Sequence, residues 1–364
     1  MGKLLLLIGT YTSGSAEGIY LSDFDPDAGS LSPPRCAARA EEPSFLAVHP
    51  RRPLLFAVNE TADPGGRSGG SVSAFSLDGS GGRLTFINRR PSGGGSPCHV
   101  SCHPGGKWIA AANYARGTVA VFPVLADGSL GEASCVVAHA VVTHAGAGRD
   151  PVRQDGPHAH AIVFDPGGRF AFAPDLGIDR LMIYRFDEAH GALSAHEAGS
   201  WSSRPGAGPR AAAFHPDGRS LFVVHELDNT VAMLAFDPAR GAVREIDART
   251  TLPPGWKGQS AGADVQVHPG GRYVYCSNRG HDSIAAFDIR DSSALKALGH
   301  TPTGGRIPRS FCIEPGGNWL ICANQDSHDL TLFRIDKDSG KLERTGPAVA
   351  VPAPACLRLT PRDS

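Results

Sequence analysis

The chain has 364 residues, with 35 Lys and Arg against 36 Asp and Glu for a formal charge of −1, and only 20% of its residues are charged. That balance excludes a global field for nucleic acid or an anionic membrane surface, so any preference for anions has to be local. The 45 glycines and 29 prolines describe a backbone that reverses often and leave little room for long helices.

The chain begins "MGKLLLLIGTY", with one Lys and an apolar run from Leu4 to Gly9. The run is too short for a signal-peptide core or a bilayer span, so a cytoplasmic protein is expected. From Val48 onward one grammar recurs. An alternating strand enters a turn on His, Asp or Glu followed by Pro, and a second apolar strand leaves it: "VHPRRPLLFAVNE", "CHPGGKWIAAANY", "FDPGGRFAFAPDL", "FHPDGRSLFVVHE", "VHPGGRYVYCSNR" and "IEPGGNWLICANQ". The turn prolines are Pro50, Pro104, Pro166, Pro216, Pro269 and Pro315, separated by 54, 62, 50, 53 and 46 residues. Each unit continues with a third strand, such as "GSVSAFSLD" or "NTVAMLAFD", and a Gly/Ser-Leu segment opens a fourth. Four short antiparallel strands per repeat of about 50 residues is the pattern of a β-propeller blade.

Both termini are left over, and they complement each other. "PAPACLRLTP" matches the first strand of a unit, with Pro354 and Pro361 spaced like Pro308 and Pro315, while "LLLLIGTYTSGSAEGIYLSDFDPDAGSL" supplies a second, third and fourth strand. The sequence therefore predicts one all-β domain over residues 1–364: a seven-bladed β-propeller with four antiparallel strands per blade, closed by a C-terminal strand joining the N-terminal blade. Closure of this kind removes two exposed sheet edges; a pair of open sandwiches would leave the terminal match unexplained.

Aligning the units on the turn proline nominates two positions at one end of the propeller. Six residues before it stand Ser44, Cys98, His160, Arg210, Ala263, Arg309 and Ala355; ten after it stand Glu60, Tyr114, Leu176, Glu226, Arg279 and Gln325, with Tyr11 as counterpart in the terminal blade. A ring with more Arg than Glu around a partly desolvated axis suits an anionic ligand held by guanidinium contacts. In "RQDGPHAHAIVFDPGGRF" both His158 and His160 point the same way if the strand starts there, which puts His160 in the mouth and His158 beside it. The histidines of the His-Pro turns (His49, His103, His215, His268) read as turn residues. His158, His160 and Glu226 have donor atoms for a metal, but no ligand-spaced cluster completes the set and the arginines repel a cation, so no metal or cofactor is expected. The eight cysteines form no C-x-x-C pair and read as buried free thiols.

These stretches, with "IGTYT", "GPHAHA", "HELDNTV" and "SNRGHDSIAAF", resemble the bacterial seven-bladed propeller lactonases of the 6-phosphogluconolactonase type, which are also similar to the fungal carboxy-muconate lactonizing enzyme. The resemblance covers essentially the whole chain. It implies a site on the His of "PHAH" (His158 or His160), Arg210, Glu226 and Arg279, the set the repeat alignment selects; the repeat positions add Glu60, Gln325 and Arg309 around the substrate, and Arg153, on the loop before "GPHAH", is placed with Arg309 to reach a distal phosphate. The resemblance further implies carbohydrate metabolism in the pentose phosphate pathway, a small anionic lactone as partner, and a monomer or weak homo-oligomer. Many relatives carry a His after the Arg of "GPR", where this chain has Ala211. The expected chemistry is metal-free hydrolysis of a sugar-acid lactone, with Glu226 as a base of raised pKa, His160 at the leaving oxygen and Arg210 and Arg279 at the oxyanion. Lactone formation from an unsaturated diacid, as in carboxy-muconate chemistry, uses the same groups in reverse. A non-catalytic scaffold is the competitor from another class, and Glu226→Gln would separate them by removing turnover with folding intact.

Overall fold

A computed structural model describes residues 2–66, 68–78, 82–140 and 150–362. Seven antiparallel sheets are arranged in a ring, and no helix occurs among the described residues. The first blade shows the pattern: Leu46–Val48 innermost, then Leu54–Asn59, Ser71–Asp78 and Arg83–Pro91, each paired with the next. Pro354–Pro361 pairs antiparallel with Leu4–Thr10, from Leu4↔Pro361 to Thr10↔Pro354, and so becomes the inner strand of the terminal blade. The outer strand of that blade is broken in two, Ser30–Leu31 and Arg35–Arg39, both paired with Gly18–Asp25.

The apolar N-terminal run now has a physical reason. Blades pack face to face, so a middle strand is buried on both sides and reads as continuous apolar sequence. Leu6 and Ile8 pack with Ile321 and Leu330 of the sixth blade, whereas Leu5 and Leu7 pack with Leu55 and Phe75 of the first. Each of the seven core clusters fills the gap between two neighbouring blades, and these two close the circle.

The His-Pro histidines are staples between blades. Nε2 of His49, His103, His215 and His268 bonds the carbonyl of Gly106, Gly168, Gly271 and Gly317 in the next blade, at 2.8 to 2.9 Å. Nδ1 accepts a backbone N–H of its own turn, as from Gly105 to His103 at 3.0 Å. Gly168 sits at φ 69°, and a Cβ there would run into the His103 ring; both facts require glycine.

One expectation about local structure changes. The strand that opens the third blade is assigned only at Val163–Phe164, and the segment before it touches its neighbour through a single bridge, Ala159↔Asp175. Backbone donors on both sides of that bridge go to side chains, the N–H of His158 to the Asp175 carboxylate at 2.7 Å and the N–H of Ile162 to His99 Nδ1 at 3.4 Å, which takes them from a regular ladder.

Candidate active site

Alternation alone does not aim the mouth residues. A strand with period two would send residues six and five before the turn proline to opposite faces. In four blades a register shift leaves one residue unopposed, Cys98, Arg210, Arg309 or Ala355, and in the fifth blade Ala263 and Asp264 together face Ser277. Such a bulge re-aims its side chain. Cys98, Arg210, Arg309 and Ala355 therefore line the central channel, and His99, Ala211 and Asp264 line it as well. The channel, about 560 Å³, runs from this mouth to the turn prolines Pro50, Pro104 and Pro315 at the other end.

Glu226 is the hub of the mouth. Its side chain is 2% exposed and meets three guanidinium groups: Arg210 Nε donates to Oε2 at 2.8 Å, Arg279 Nη2 lies 2.9 Å from Oε2, and Arg153 Nη2 lies 2.7 Å from Oε1. His160 Nε2 stands 3.9 Å from Oε2, beyond direct hydrogen bonding. The arginines are fixed in turn: Arg210 also donates to Ala263 O, Arg279 to Gly262 O at 3.1 Å, and Arg153 Nε to the Tyr114 hydroxyl at 2.8 Å.

A second cluster faces it across the mouth. Arg309 Nη2 donates to the Tyr11 hydroxyl at 2.5 Å, and Tyr11 donates to Glu60 Oε2 at 2.8 Å, an oxygen that also accepts from Ser44. The Arg309 guanidinium lies 4.9 Å from the Tyr11 ring centroid. Among the described residues it forms no ion pair with a carboxylate, unlike the three arginines on Glu226.

Electrostatics revise the expected role of Glu226. Burial alone raises a carboxyl pKa, but Arg279, Arg210, His160 and Arg153 reverse this and hold Glu226 well below the usual carboxylate range. A base of raised pKa is not what the structure provides, because the charges that bind the carboxylate also stabilise its ionised form. Burial, reinforced by Arg210, pushes His160 well below the ordinary histidine value, so the imidazole is neutral at neutral pH. Burial lowers Arg279 to about 10, still charged at pH 7. Burial also raises the Cys98 thiol, which makes it a poor nucleophile although its Sγ lies 3.7 Å from His160 Nδ1.

The structure thus brings His160, Arg210, Glu226, Arg279 and Arg153 together, and sets Glu60 and Arg309 opposite. His158 is placed beside this group with both ring nitrogens engaged, Nδ1 with Tyr114 O at 2.9 Å and Nε2 with Asp155 at 2.8 Å, its ring stacked on Tyr114 at 4.4 Å. Gln325 is not brought to the channel; its amide donates to Asp326 at 3.1 Å. Tyr11, which bridges Arg309 to Glu60, and Tyr114, which accepts from Arg153, hold the position ten after the turn proline or its equivalent, and residue type there was the available signal. Among the described residues no three His, Cys, Asp or Glu side chains converge as a metal site, and the eight cysteines are all free thiols.

This architecture has close relatives. Over 98% of the chain and 99% of the relative, the sequence is 38% identical to a 6-phosphogluconolactonase of Bacillus subtilis. It is 34% identical to a 6-phosphogluconolactonase of Pectobacterium carotovorum over 68% of the chain and 70% of that protein. The periplasmic gluconolactonase of Pseudomonas aeruginosa superposes with a TM-score of 0.91 at 33% identity, covering 99% of this chain and 100% of that one. Residues 5–359 match the family described as "Lactonase, 7-bladed beta-propeller". The chain belongs to the seven-bladed β-propeller lactonase family.

Proposed function

We propose that this enzyme hydrolyses 6-phosphoglucono-δ-lactone to 6-phosphogluconate, with Arg210 and His160 acting on the lactone and Glu226 organising them. The observation that carries the reading is the excess of charge at the mouth: four arginines (Arg153, Arg210, Arg279, Arg309) against two glutamates (Glu226, Glu60). Charge developing on a lactone carbonyl oxygen is stabilised by a preorganised cation in a poorly solvated site. Neutral His160 takes the proton of the attacking water as its oxygen bonds the carbonyl carbon, and gives it to the ring oxygen as the bond between that oxygen and the carbonyl carbon breaks. Glu226 does not line the channel and acts through its neighbours, holding Arg210 and Arg279 and stabilising the imidazolium in passing. Arg309, with no carboxylate partner, suits the distal phosphate.

The names of the relatives support this substrate. The exposed large apolar residues Phe86, Leu125, Val136, Val152 and Trp256 are scattered along the sequence, which favours a channel-mouth enzyme over a partner-docking scaffold. Eight free thiols support a reducing compartment, so we place the protein in the cytoplasm and its product in the pentose phosphate pathway. A crystal complex with 6-phosphogluconate tests the assignment. The product carboxylate should lie against Arg210 and His160 with its phosphate toward Arg309; a product seated away from these residues would overturn the reading.

A further inference from the structure

The channel continues beneath the mouth, and its next layer holds chemistry that lactone opening does not use. Arg358 lies on the closing strand Pro354–Pro361, three residues beyond Ala355 and so roughly 10 Å along it at ~3.3 Å per residue. Its guanidinium rests on the Phe45 ring, 4.6 Å from the centroid. Among the described residues it forms no ion pair, and its hydrogen bond runs from Nη1 to Leu357 O at 2.7 Å. Arg358 lines the channel, and a guanidinium carries five N–H donors, more than this one bond uses.

His99 lies against the same ring, with centroids 4.2 Å apart. Its Nδ1 accepts the N–H of Ile162 at 3.4 Å, which puts the proton on Nε2. Burial, with Arg358 and Arg210 adding to it, lowers His99 to about 3, so it serves as a neutral donor across the physiological range. Burial pushes up the carboxyl of Asp264 in the same wall, and Arg358 is the largest charge opposing that; its oxygens are nonetheless held by the wall itself, Oδ2 accepting from Ser310 Oγ at 2.9 Å and from Phe311 N at 3.3 Å, and Oδ1 from Val265 N at 2.8 Å. A cation over an aromatic ring, a fixed neutral donor beside it and an acid whose oxygens are hydrogen-bonded within the wall form a receptor for an anion.

We infer that the channel contains a second anion site, distinct from the mouth, in which Arg358 and His99 bind a small oxyanion of the phosphate class. Because Arg358 sits on the strand that closes the ring, an anion bound there also strengthens closure, as any ligand selective for the folded state does.

Inorganic phosphate is the probe, titrated calorimetrically into the full-length wild type, Arg358→Gln and Arg309→Gln. The expected result is binding at two sites in the wild type, one at the mouth and one at Arg358; Arg309→Gln keeps the Arg358 site at unchanged affinity, and Arg358→Gln keeps the mouth site but weakens its own on the order of 10- to 100-fold, the loss of a charge-assisted contact. Equal binding in Arg358→Gln and wild type, loss of all binding in Arg309→Gln, or no saturable binding in the wild type would each overturn the inference. If Arg358→Gln does not fold, His99→Phe keeps the ring packing and removes the donor. Binding weakened about 10-fold there supports the site, and unchanged affinity refutes it.

Discussion

Glu226→Gln is a more informative substitution than a simple test of turnover. The carboxylate is 2% exposed and is shared by three guanidinium groups within 2.9 Å. A glutamine retains the shape, but its amide leaves two largely buried guanidinium groups, Arg210 and Arg279, and the partly exposed Arg153 uncompensated and directs an N–H₂ group at one of them. Removing one partner of a buried ion pair costs about 3–5 kcal/mol, a large share of the roughly 5–15 kcal/mol that holds a domain folded. At an m-value of roughly 3 kcal/mol per molar urea, the midpoint falls by about 1 to 1.7 M. The effect depends on pH in a defined direction. The folded-state pKa of Glu226 is depressed, so its contribution is complete above the unfolded value of about 4.3 and is lost as pH falls through the lower folded value. Urea curves at pH 7 and near pH 3 should therefore show the gap between variant and wild type narrowing in acid. A midpoint within about 0.2 M of wild type at pH 7, with an unchanged m-value, would show that Glu226 does not carry the charge of the three arginines.

Other outcomes follow from the same geometry. Because His160 is held neutral well below its ordinary value, the acid limb of kcat/KM should lie below pH 6.5, and a limb at or above 6.5 contradicts the role given to it. Glu226 opposes that lowering, so in Glu226→Gln the limb should move to lower pH, a shift that mere loosening of the fold does not produce. His160→Ala should lose about 10²- to 10⁴-fold in kcat, measured by proton release with spontaneous opening subtracted. Arg309→Gln should raise KM for a phosphorylated lactone about 10- to 100-fold and leave the unphosphorylated one nearly unaffected; equal effects on both would remove Arg309 from phosphate recognition. His103→Ala, a turn staple, should cost about 1–2 kcal/mol by denaturation while kcat/KM stays at the wild-type value.

The blades were legible because each repeats the same turn and alternation, and the closing strand because the proline spacing at Pro354 and Pro361 repeats that of the blades. The mouth was legible for a different reason: positions such as His160, Arg210 and Glu226 break the uniformity that identical blade packing imposes. What alternation hid was the layer beneath. The register shifts at Cys98 and between Gly262 and Val265 reset the two-residue period, so that His99, beside the mouth residue Cys98, and Asp264 join the channel wall unannounced. The ionisation of Glu226 was equally out of reach. Burial and three arginines act on its carboxyl in opposite senses, and only their distances decide the sign. Gln325 shows the converse: it occupies the right repeat position, but the adjacent Asp326 captures its amide.

The most direct test of the central claim is the rate of opening of 6-phosphoglucono-δ-lactone against glucono-δ-lactone by the wild-type enzyme, with spontaneous hydrolysis subtracted. An arginine-rich mouth built on Glu226 predicts a much larger kcat/KM for the phosphorylated lactone. Opening of neither lactone above background would contradict it.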